Sequence, residues 1–560
     1  MSLIHNKLNR KTMKYSIEKI MLLFLVVLIF SCKKAVLDQE PLDKYSDAAV
    51  WQDPALIGTF INNTYRIMPT GFYVTQGLPL SVLSDEAACR NNSNFDIINK
   101  GNVSPSSLGP LDYWTTGGNQ SYYKVISKCN VFLENINGAT IDTALKNRMI
   151  GEMKVLRAYS YFRLISFYGG VPLITKQFTL ADDFSIPRNT YDECLSFIVA
   201  ELDAASTLLP LNYSAKDKGR ITKGAALAVK SRALLYAASP LNNPANDLSK
   251  WQKAADVAKA VIDLNQYALY TDYKTLFSDK ALYNSEIIWS RPYNNIVDAE
   301  EIPLILEQVL FPNGYYGFGQ VDPLQNLIDQ YETVNGKLPK DDPSYNPQNP
   351  YVNRDPRFYA TILYNGAPFK GRPVETFIPK GKDSPEGTLT PQNATVTGYY
   401  VRKYVDESIV NPSAANCGNT PWTFFRYAEI LLNYAEAKYF LGDETTCREY
   451  INKVRSRASV NMPLVTESGA ALLTRLQHER EIELAFEEHR YFDVRRWKIA
   501  PQVLNVDAQK IVITKNTTTG LDTYTVQTFQ TRDFFDKNYL APIPQSELDK
   551  DASLKQNPNY

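Results

Sequence analysis

The chain has 560 residues, which is enough for a large core and for two to four domains. Its 60 basic and 60 acidic residues balance, and residues 1–31 carry five basic residues and one acidic residue, so the remainder has a charge near −4. This balance excludes a nucleic-acid-binding protein, which needs a concentrated positive field. The 36 tyrosines supply flat apolar faces with polar tips, which serve either helix packing or stacking on sugar rings.

The first predicted element is a secretion signal. Basic residues precede Ile20–Phe30, a run of eleven apolar residues that is too short to span a bilayer core of about 30 Å. The run ends at Ser31-Cys32, which resembles a bacterial lipobox, where the cysteine becomes the acylated first residue. No later segment approaches 18 continuous apolar residues. We therefore expect residues 1–31 to be a lipoprotein signal peptide and Cys32 to anchor the protein to a membrane.

From about residue 121 the apolar residues have the spacing of amphipathic helices. Glycine, proline or asparagine residues end these segments, as at Gly169-Gly170. Helix pairs that recur every 30–40 residues are typical of tetratricopeptide-like repeats, although these repeats are too degenerate to be named from the pattern alone. The predicted helices span residues 148–168, 191–209, 222–238 and 249–264.

The composition changes near residue 270. A short strand or extended segment is predicted at 283–289, and residues 335–425 then hold 12 of the 32 prolines. Such a density excludes long helices and predicts an ordered loop region, the kind of segment that often builds functional surfaces. Helices are predicted again at 421–441 and 445–458.

Residues 478–498 are predicted to form one helix, on which a ladder of glutamates falls within an apolar arc. Buried carboxylates need partners, so one interpretation is an ion-pair lattice that fixes this helix to a neighbour. The other interpretation is a carboxylate active site. An arginine beside each acid argues against it, because the acid would already be paired. The residues of the ladder and its expected partners are Glu479, Glu483, Glu487, Arg480, Arg490, Arg495 and Arg496.

No catalytic signature is present: the chain has no GxSxG, no phosphate loop and no HExxH. On one helix His478 and His489 would lie about 16 Å apart, too far to share a metal. Glycoside hydrolysis needs two carboxyl groups about 5–10 Å apart, and nothing in the sequence pairs any two acids. We therefore expect no enzymatic activity, no metal and no cofactor.

The five cysteines that follow Cys32 are scattered, without metal-ligand spacing, and their odd number leaves at least one outside any intramolecular disulfide. Buried structural thiols are the expectation. They are Cys89, Cys129, Cys194, Cys417 and Cys447.

Three clusters combine aromatic faces with planar polar groups, the mixture that sugar recognition requires. Packing in the core is the alternative role for each of their aromatic rings. The candidate ligand-binding residues are Arg90, Asn91 and Asn94 in the first cluster, Tyr113 and Trp114 in the second, and Tyr315, Tyr316 and Phe318 in the third.

Several segments resemble the SusD/RagB family of surface lipoproteins, which bind nutrients for outer-membrane import. The matches follow the family's order from about residue 37 to residue 560 and carry no information about the ligand. They are LDQEP at 37–41, RAYSYFRLISFYGGVPLI at 157–174, GRITKGAA at 219–226, FFRYAEILLNYAEAKY at 424–439, residues 478–498 and YLAPIP at 539–544.

The resemblance implies an all-α fold, in which tetratricopeptide-like helical repeats form a right-handed superhelix with a large irregular loop-rich region packed on it. We expect a helical-repeat region over 32–270 and a second region over 271–560, within one compact globular unit. The second region would hold the loop-rich insert at about 335–425 and C-terminal helices at about 421–498.

The resemblance also implies a function. The protein would sit as a lid on a SusC-like TonB-dependent transporter, lipid-anchored at the outer membrane and facing the cell exterior, and would capture an oligosaccharide for import. In glycan-binding members of the family, loops supply an arc of aromatic residues. Two alternatives stay open: a peptide nutrient, as on the RagB side of the family, and a helical scaffold that binds only protein.

Overall fold

The computed structural model describes residues 50–72, 78–90, 93–115, 121–294, 305–387 and 389–560. The predicted signal peptide, Cys32, the motif at 37–41 and Asn91 lie outside these residues. The chain divides into two compact units, one of residues 1–60 with 138–141 and the other of residues 61–137 with 142–560. In the smaller unit the rings of Trp51 and Phe60 lie 5.4 Å apart.

Seventeen α-helices lie in the described part of the chain, and 44% of the structure is helical. The first eight are α1 (Pro54–Arg66), α2 (Pro79–Val82), α3 (Ser93–Asn99), α4 (Tyr122–Asn135), α5 (Thr143–Tyr168), α6 (Tyr191–Leu208), α7 (Lys223–Ala238) and α8 (Leu248–Asp263). The others are α9 (Leu306–Leu310), α10 (Gln325–Ile328), α11 (Pro356–Thr361), α12 (Tyr427–Phe440), α13 (Glu444–Arg455), α14 (Gly469–Glu483), α15 (His489–Arg496), α16 (Ala500–Leu504) and α17 (Gln545–Leu548).

Side-chain caps set the ends of the long helices. The Asp142 carboxylate accepts a hydrogen bond from the Leu145 amide at 2.8 Å, so α5 begins five residues before the predicted start. Thr190 and Glu193 form a capping box at the start of α6. Gly169 ends α5 with a φ of +74°, a conformation that glycine adopts without steric cost.

Successive long helices pack against each other from α4 to α8, then α8 packs on α12 and α12 on α13. The whole segment between α8 and α12 is therefore an insertion between two neighbouring helices. Trp251 of α8 is fully buried and stacks on Phe440 of α12, with ring centroids 4.0 Å apart. This succession of paired helices confirms the predicted all-α, tetratricopeptide-like class.

The strands are short and pair antiparallel in twos: β1 with β3, β2 with β8, β4 with β7, β5 with β6 and β9 with β10. They are β1 (Ala87–Cys89), β2 (Ile287–Arg291), β3 (Val321–Pro323), β4 (Ile362–Leu363), β5 (Pro368–Phe369), β6 (Arg372–Pro373), β7 (Tyr400–Val401), β8 (Trp422–Arg426), β9 (Ala508–Lys515) and β10 (Asp522–Gln530).

The helix predicted from residue 421 begins only at Tyr427. Residues 422–426 instead form β8, because their backbone pairs with β2, a strand that is distant in sequence, from Ile287↔Arg426 to Arg291↔Trp422. Aromatic and β-branched residues fit a strand, and the pairing with β2 decides the conformation here.

The proline-rich region at 335–425 contains, in its described part, no helix longer than the six residues of α11, in agreement with the prediction. Its irregular backbone needs other hydrogen-bond partners. The buried Arg354 guanidinium supplies one, with a bond of 2.8 Å to the Pro350 carbonyl oxygen, and ties the region to the preceding segment with bonds of 2.5 and 2.7 Å to the carbonyl oxygens of Ile328 and Tyr331. The predicted boundary at residue 270 stays a prediction.

The prediction of one continuous helix over 478–498 is wrong. Helix α14 ends at Glu483 and α15 begins at His489, and between them Phe486 and Glu488 adopt the left-handed region with φ of +64° and +65°. Side chains from other segments bind the backbone groups that the break exposes. The Phe486 amide donates to Glu86 Oε1 at 3.0 Å, and the Ala485 carbonyl accepts from Lys403 Nζ at 2.8 Å.

Candidate functional site

The glutamate ladder lies in a buried network of charges. The Glu479 carboxylate contacts Arg357 at 2.5 Å and Arg455 at 2.8 Å, and all three side chains are at most 2% exposed. The Glu483 carboxylate contacts Arg457 at 2.6 Å and Arg426 at 2.7 Å. Arginines in the core occupy both of these carboxylates, which fits a structural junction.

Glu487 completes this network from the turn between the two helices. Its carboxylate contacts Arg426 at 2.7 Å and Lys403 at 2.7 Å. Burial lowers the pKa of the Lys403 ammonium to about 8, although the charge of Glu487 acts in the opposite direction. Burial by itself raises the pKa of a carboxyl, but Arg426 and Lys403 outweigh it and lower the pKa of Glu487.

The four arginines predicted to pair with the ladder bind other groups instead. Because the helix breaks, the arginines of the same segment turn toward other acids. Arg480 and Arg496 bind Asp493, and Arg496 also binds Glu436 at 2.5 Å. The Arg490 guanidinium binds Asp85 through two hydrogen bonds of 2.8 and 2.6 Å, and contacts Glu481 at 3.2 Å.

Arg495 makes no ion pair with any acid in the described ranges. Its guanidinium lies 3.6 Å from the Tyr491 ring centroid and donates to the carbonyls of Tyr491 and Asn538 at 2.9 and 3.2 Å. A guanidinium is weakly hydrated and stacks on aromatic faces, so this burial needs no carboxylate.

The two histidines that follow the signal segment are buried polar groups. Burial lowers the pKa of His478 to about 4, and its Nε2 contacts the Gln330 carbonyl oxygen at 2.7 Å. Burial and neighbouring arginines hold the pKa of His489 well below its usual value. Among the described residues no group of His, Cys, Asp or Glu could hold a metal ion. The five described cysteines are reduced thiols, and all but Cys417 are buried.

The second predicted cluster lies in the core. Tyr113 is 3% exposed and stacks on Phe167 with ring centroids 4.5 Å apart. Trp114 is 5% exposed and packs edge-on against Tyr168 at 5.3 Å. Neither ring presents an open face to solvent in this arrangement, so packing is their observed role. Ligand binding by either residue stays a prediction.

The first and third clusters are joined by Arg90. Its Nε donates to the Phe318 carbonyl oxygen at 3.0 Å, and its terminal nitrogens donate to the Gln392 carbonyl oxygen and to Asn393 Oδ1. The guanidinium therefore holds the 311–320 loop beside residues 391–393. Asn94, on the first turn of α3, has an exposed side chain.

The third cluster presents the most accessible predicted aromatic ring. Tyr316 is 51% exposed and stands at the tip of the loop with a φ of +66°. Tyr315 is half-buried, and its hydroxyl donates to the Phe369 carbonyl oxygen at 2.7 Å; burial raises the pKa of that hydroxyl to about 12. Phe318 is also half-buried.

A second arginine, which the sequence analysis missed, supports this loop. The Arg372 guanidinium lies 4.0 Å from the Tyr315 ring centroid and donates twice to the buried Asp383 carboxylate, at 2.6 and 2.9 Å. Asn313 is fully buried, and its side-chain oxygen accepts from the Tyr400 hydroxyl at 2.8 Å. No local motif marks Arg372 or Asp383, because only the fold brings them to the loop. Together these contacts hold an exposed ring and a half-buried ring on a fixed loop, with two guanidinium groups beside it.

Paired helices that carry a loop-built polar and aromatic surface define a helical-repeat protein with a candidate binding platform. Two family profiles match the sequence: one described as starch-binding associating with outer membrane, over residues 37–235, and one described as the SusD family, over residues 285–560.

Solved structures and a curated relative agree with these profiles. A SusD-like protein from Bacteroides fragilis is 31% identical, with a TM-score of 0.79 over 93% of this chain and 100% of its own. A SusD-like carbohydrate binding protein from the same species is 29% identical, with a TM-score of 0.77 over 90% of this chain and 100% of its own. SusD-like protein P25 of Formosa agariphila is 24% identical over 87% of this chain and 90% of its own length. The chain belongs to the SusD/RagB family.

Membrane association is part of the description of one matching family profile. In the part of the chain described here, no helix has both the length and the apolar character needed to cross a bilayer.

Proposed function

We propose that the protein is a surface lipoprotein that binds an oligosaccharide and passes it to a SusC-like TonB-dependent transporter of the outer membrane. The observation that carries the proposal is the likeness, at 29% identity over 90% of this chain, to a SusD-like carbohydrate binding protein. Binding rather than catalysis is proposed because the buried carboxylates of the ladder are held by arginines and lysine.

The loop at 311–320 is the proposed ligand contact. Sugar rings bind through stacking of their apolar faces on aromatic rings and through planar groups that make paired hydrogen bonds. Tyr316 offers the exposed ring, and the loop that carries it is fixed by Arg90, Arg372 and Asn313. A fixed platform favours binding because little conformational entropy is lost when the ligand arrives.

The anchoring and orientation follow the same proposal. Cys32 is the proposed site of acylation, and the lipid would hold the protein at the outer membrane facing the exterior. Protease treatment of intact cells tests the orientation: we expect cleavage of the protein, and full protection alongside digestion of a known surface protein would overturn it.

Isothermal titration calorimetry of the full chain in detergent, against panels of neutral glycans, acidic glycans and peptides, tests the binding function. We expect a glycan to bind and Tyr316→Ala to weaken it about five- to tenfold, the effect of losing one aromatic stack. Phe184→Ala is the matched control, because Phe184 is 56% exposed and belongs to another loop. A peptide that binds in place of any glycan would favour the RagB-type alternative, and no small ligand at all would favour the protein scaffold.

A further inference from the structure

A cleft outside the predicted binding loops carries an excess of positive charge. Its volume is about 310 Å³, and it lies between the end of α1, the loop at 216–220 and strand β2. Five basic residues and one acidic residue line it, a net charge of +4, whereas the whole chain has a net charge of zero. The basic residues are Arg66, Lys216, Lys218, Arg220 and Arg291, and the acidic one is Asp217.

Arg220 is neutralised by fixed acceptors. Its Nε donates to Asp217 Oδ1 at 2.8 Å and a terminal nitrogen donates to Glu152 Oε2 at 3.1 Å. Arg148 contacts the same two acids, each at 3.3 Å. Two arginines and two acids thus balance, and the excess charge of the cleft comes from other residues.

Lys216, Lys218 and Arg291 form no ion pair with a carboxylate of the described ranges. The Lys218 ammonium lies 5.5 Å from the Tyr283 ring centroid, and both lysines are exposed. The Arg291 guanidinium lies 4.6 Å from the Tyr293 ring centroid, and its polar contact is a 3.4 Å hydrogen bond to the Met68 carbonyl oxygen. Lys218 and Arg291 therefore lie beside aromatic rings, which do not neutralise their charges.

A buried hydroxyl in the wall of the cleft also has no partner. Ser290 lines the cleft and is 5% exposed, and its Oγ finds no hydrogen-bond partner among the described residues. An unsatisfied buried hydroxyl costs free energy, so the Ser290 hydroxyl at the wall of this cationic cleft is a group with which a ligand could form a favourable hydrogen bond.

The shape of the cleft depends on one close approach. Gly219 has a φ of +99°, and a Cβ at this position would lie 2.4 Å from the Tyr283 hydroxyl oxygen. Only glycine fits this contact, which sets the half-buried Tyr283 ring beside Lys218. A second cavity of about 270 Å³ shares Lys218, Tyr283 and Ser290 with the first, so the groove extends to both sides of this ring.

We propose that this basic cleft binds an acidic sugar unit, with its sulfate or carboxylate group held by Lys218 and Arg291 and its ring against Tyr283. A guanidinium and an ammonium are the groups that bind such oxyanions, and the cavity volume lies within the range of small-molecule sites. The proposal rests on the proposed glycan-binding function and names its substrate class: an anionic glycan.

Calorimetry of the full chain tests the class of glycan with three probes of equal length: tetragalacturonate, a sulfated carrageenan tetrasaccharide and neutral maltotetraose. The variant is Lys218→Met/Arg291→Gln, and the control is Lys253→Met, an exposed lysine of α8. We expect an acidic probe to bind, the double variant to lose about tenfold or more in affinity, and the control to bind as the wild type does. Rising salt should weaken binding to the wild type more than to the double variant.

The outcomes separate this inference from the proposed function. Preference for the uronate or for the sulfated probe identifies the source of the negative charge. Binding of maltotetraose alone, or an acidic probe bound equally by the wild type and the double variant, would overturn the basic cleft and leave glycan binding intact. Absence of binding by any glycan would overturn both.

Discussion

Removal of the negative charge at Glu483 tests whether residues 478–498 form a structural junction. The Glu483 side chain is fully buried, and its carboxylate lies 2.6 Å from Arg457, 2.7 Å from Arg426 and 3.0 Å from Arg357. Burial by itself raises the pKa of this carboxyl, but the three arginines outweigh it and hold the pKa of Glu483 well below its usual value. The group is therefore ionised at neutral pH.

The expected loss in the free energy of unfolding depends on which carboxylates each arginine still contacts in the variant. Without the charge of Glu483, Arg357 still binds Asp355 at 2.8 Å, and Arg426 and Arg457 still bind Glu286 at 2.7 and 2.5 Å. Three ion pairs are lost, but each guanidinium keeps a carboxylate, so the cost should lie at or below the lower end of the range for an uncompensated buried charge. We therefore expect Glu483→Gln to lower the free energy of unfolding by about 2–3 kcal/mol.

Urea unfolding followed by far-UV circular dichroism measures this difference. Glu449→Gln is the control, because Glu449 forms an exposed pair with Lys453 at 2.8 Å and should change the free energy of unfolding by at most about 0.5 kcal/mol. Glycan affinity of the folded Glu483→Gln protein should equal that of the wild type. A loss below about 1 kcal/mol, or a selective binding defect, would refute the structural interpretation.

The stability difference between the wild type and Glu483→Gln should also depend on pH, and the lowered pKa of Glu483 gives the direction. A carboxyl whose pKa is lower in the folded state contributes stability that is present above its unfolded pKa and is lost as the pH falls through the folded value. The difference between wild type and Glu483→Gln should therefore be constant above about pH 4.5 and shrink below it. A difference that grows on acidification would contradict this assignment.

Two further variants test other buried groups. Burial raises the pKa of Glu481 to about 8 although Arg490 opposes it, so the folded state keeps a proton that the unfolded state releases above about pH 4.5. The stability of Glu481→Gln relative to the wild type should therefore increase as the pH rises from about 5 to about 8. A difference that is independent of pH would count against the raised pKa. Trp114→Ala should lower the free energy of unfolding by about 3–5 kcal/mol in urea titrations, since the ring is 5% exposed, whereas a stable variant with lost glycan affinity would restore Trp114 to the binding site.

The candidate binding residues show why burial cannot be taken from local sequence. Trp114 and Tyr316 both occur beside glycines and polar residues, so the local pattern predicts the same role for both. One ring packs against Tyr168 of α5, and the other extends from a loop that Asn313 holds from below. The two rings differ in burial because different distant segments contact them, and a local sequence pattern does not show those contacts.

Sequence alone determined several of the long helices, the glycine end of α5 and the family, because apolar periodicity, helix-ending glycines and short motifs are local signals. Helices α6, α7 and α8 each begin and end within one residue of their predicted positions. Tertiary structure decided the rest: it broke the 478–498 segment after Glu483 and paired that glutamate with Arg457 and Arg357, which are 26 and 126 residues away in the chain. A charge in the core is satisfied by whichever partner the fold brings near, and neighbours in sequence have no advantage once the helix turns away.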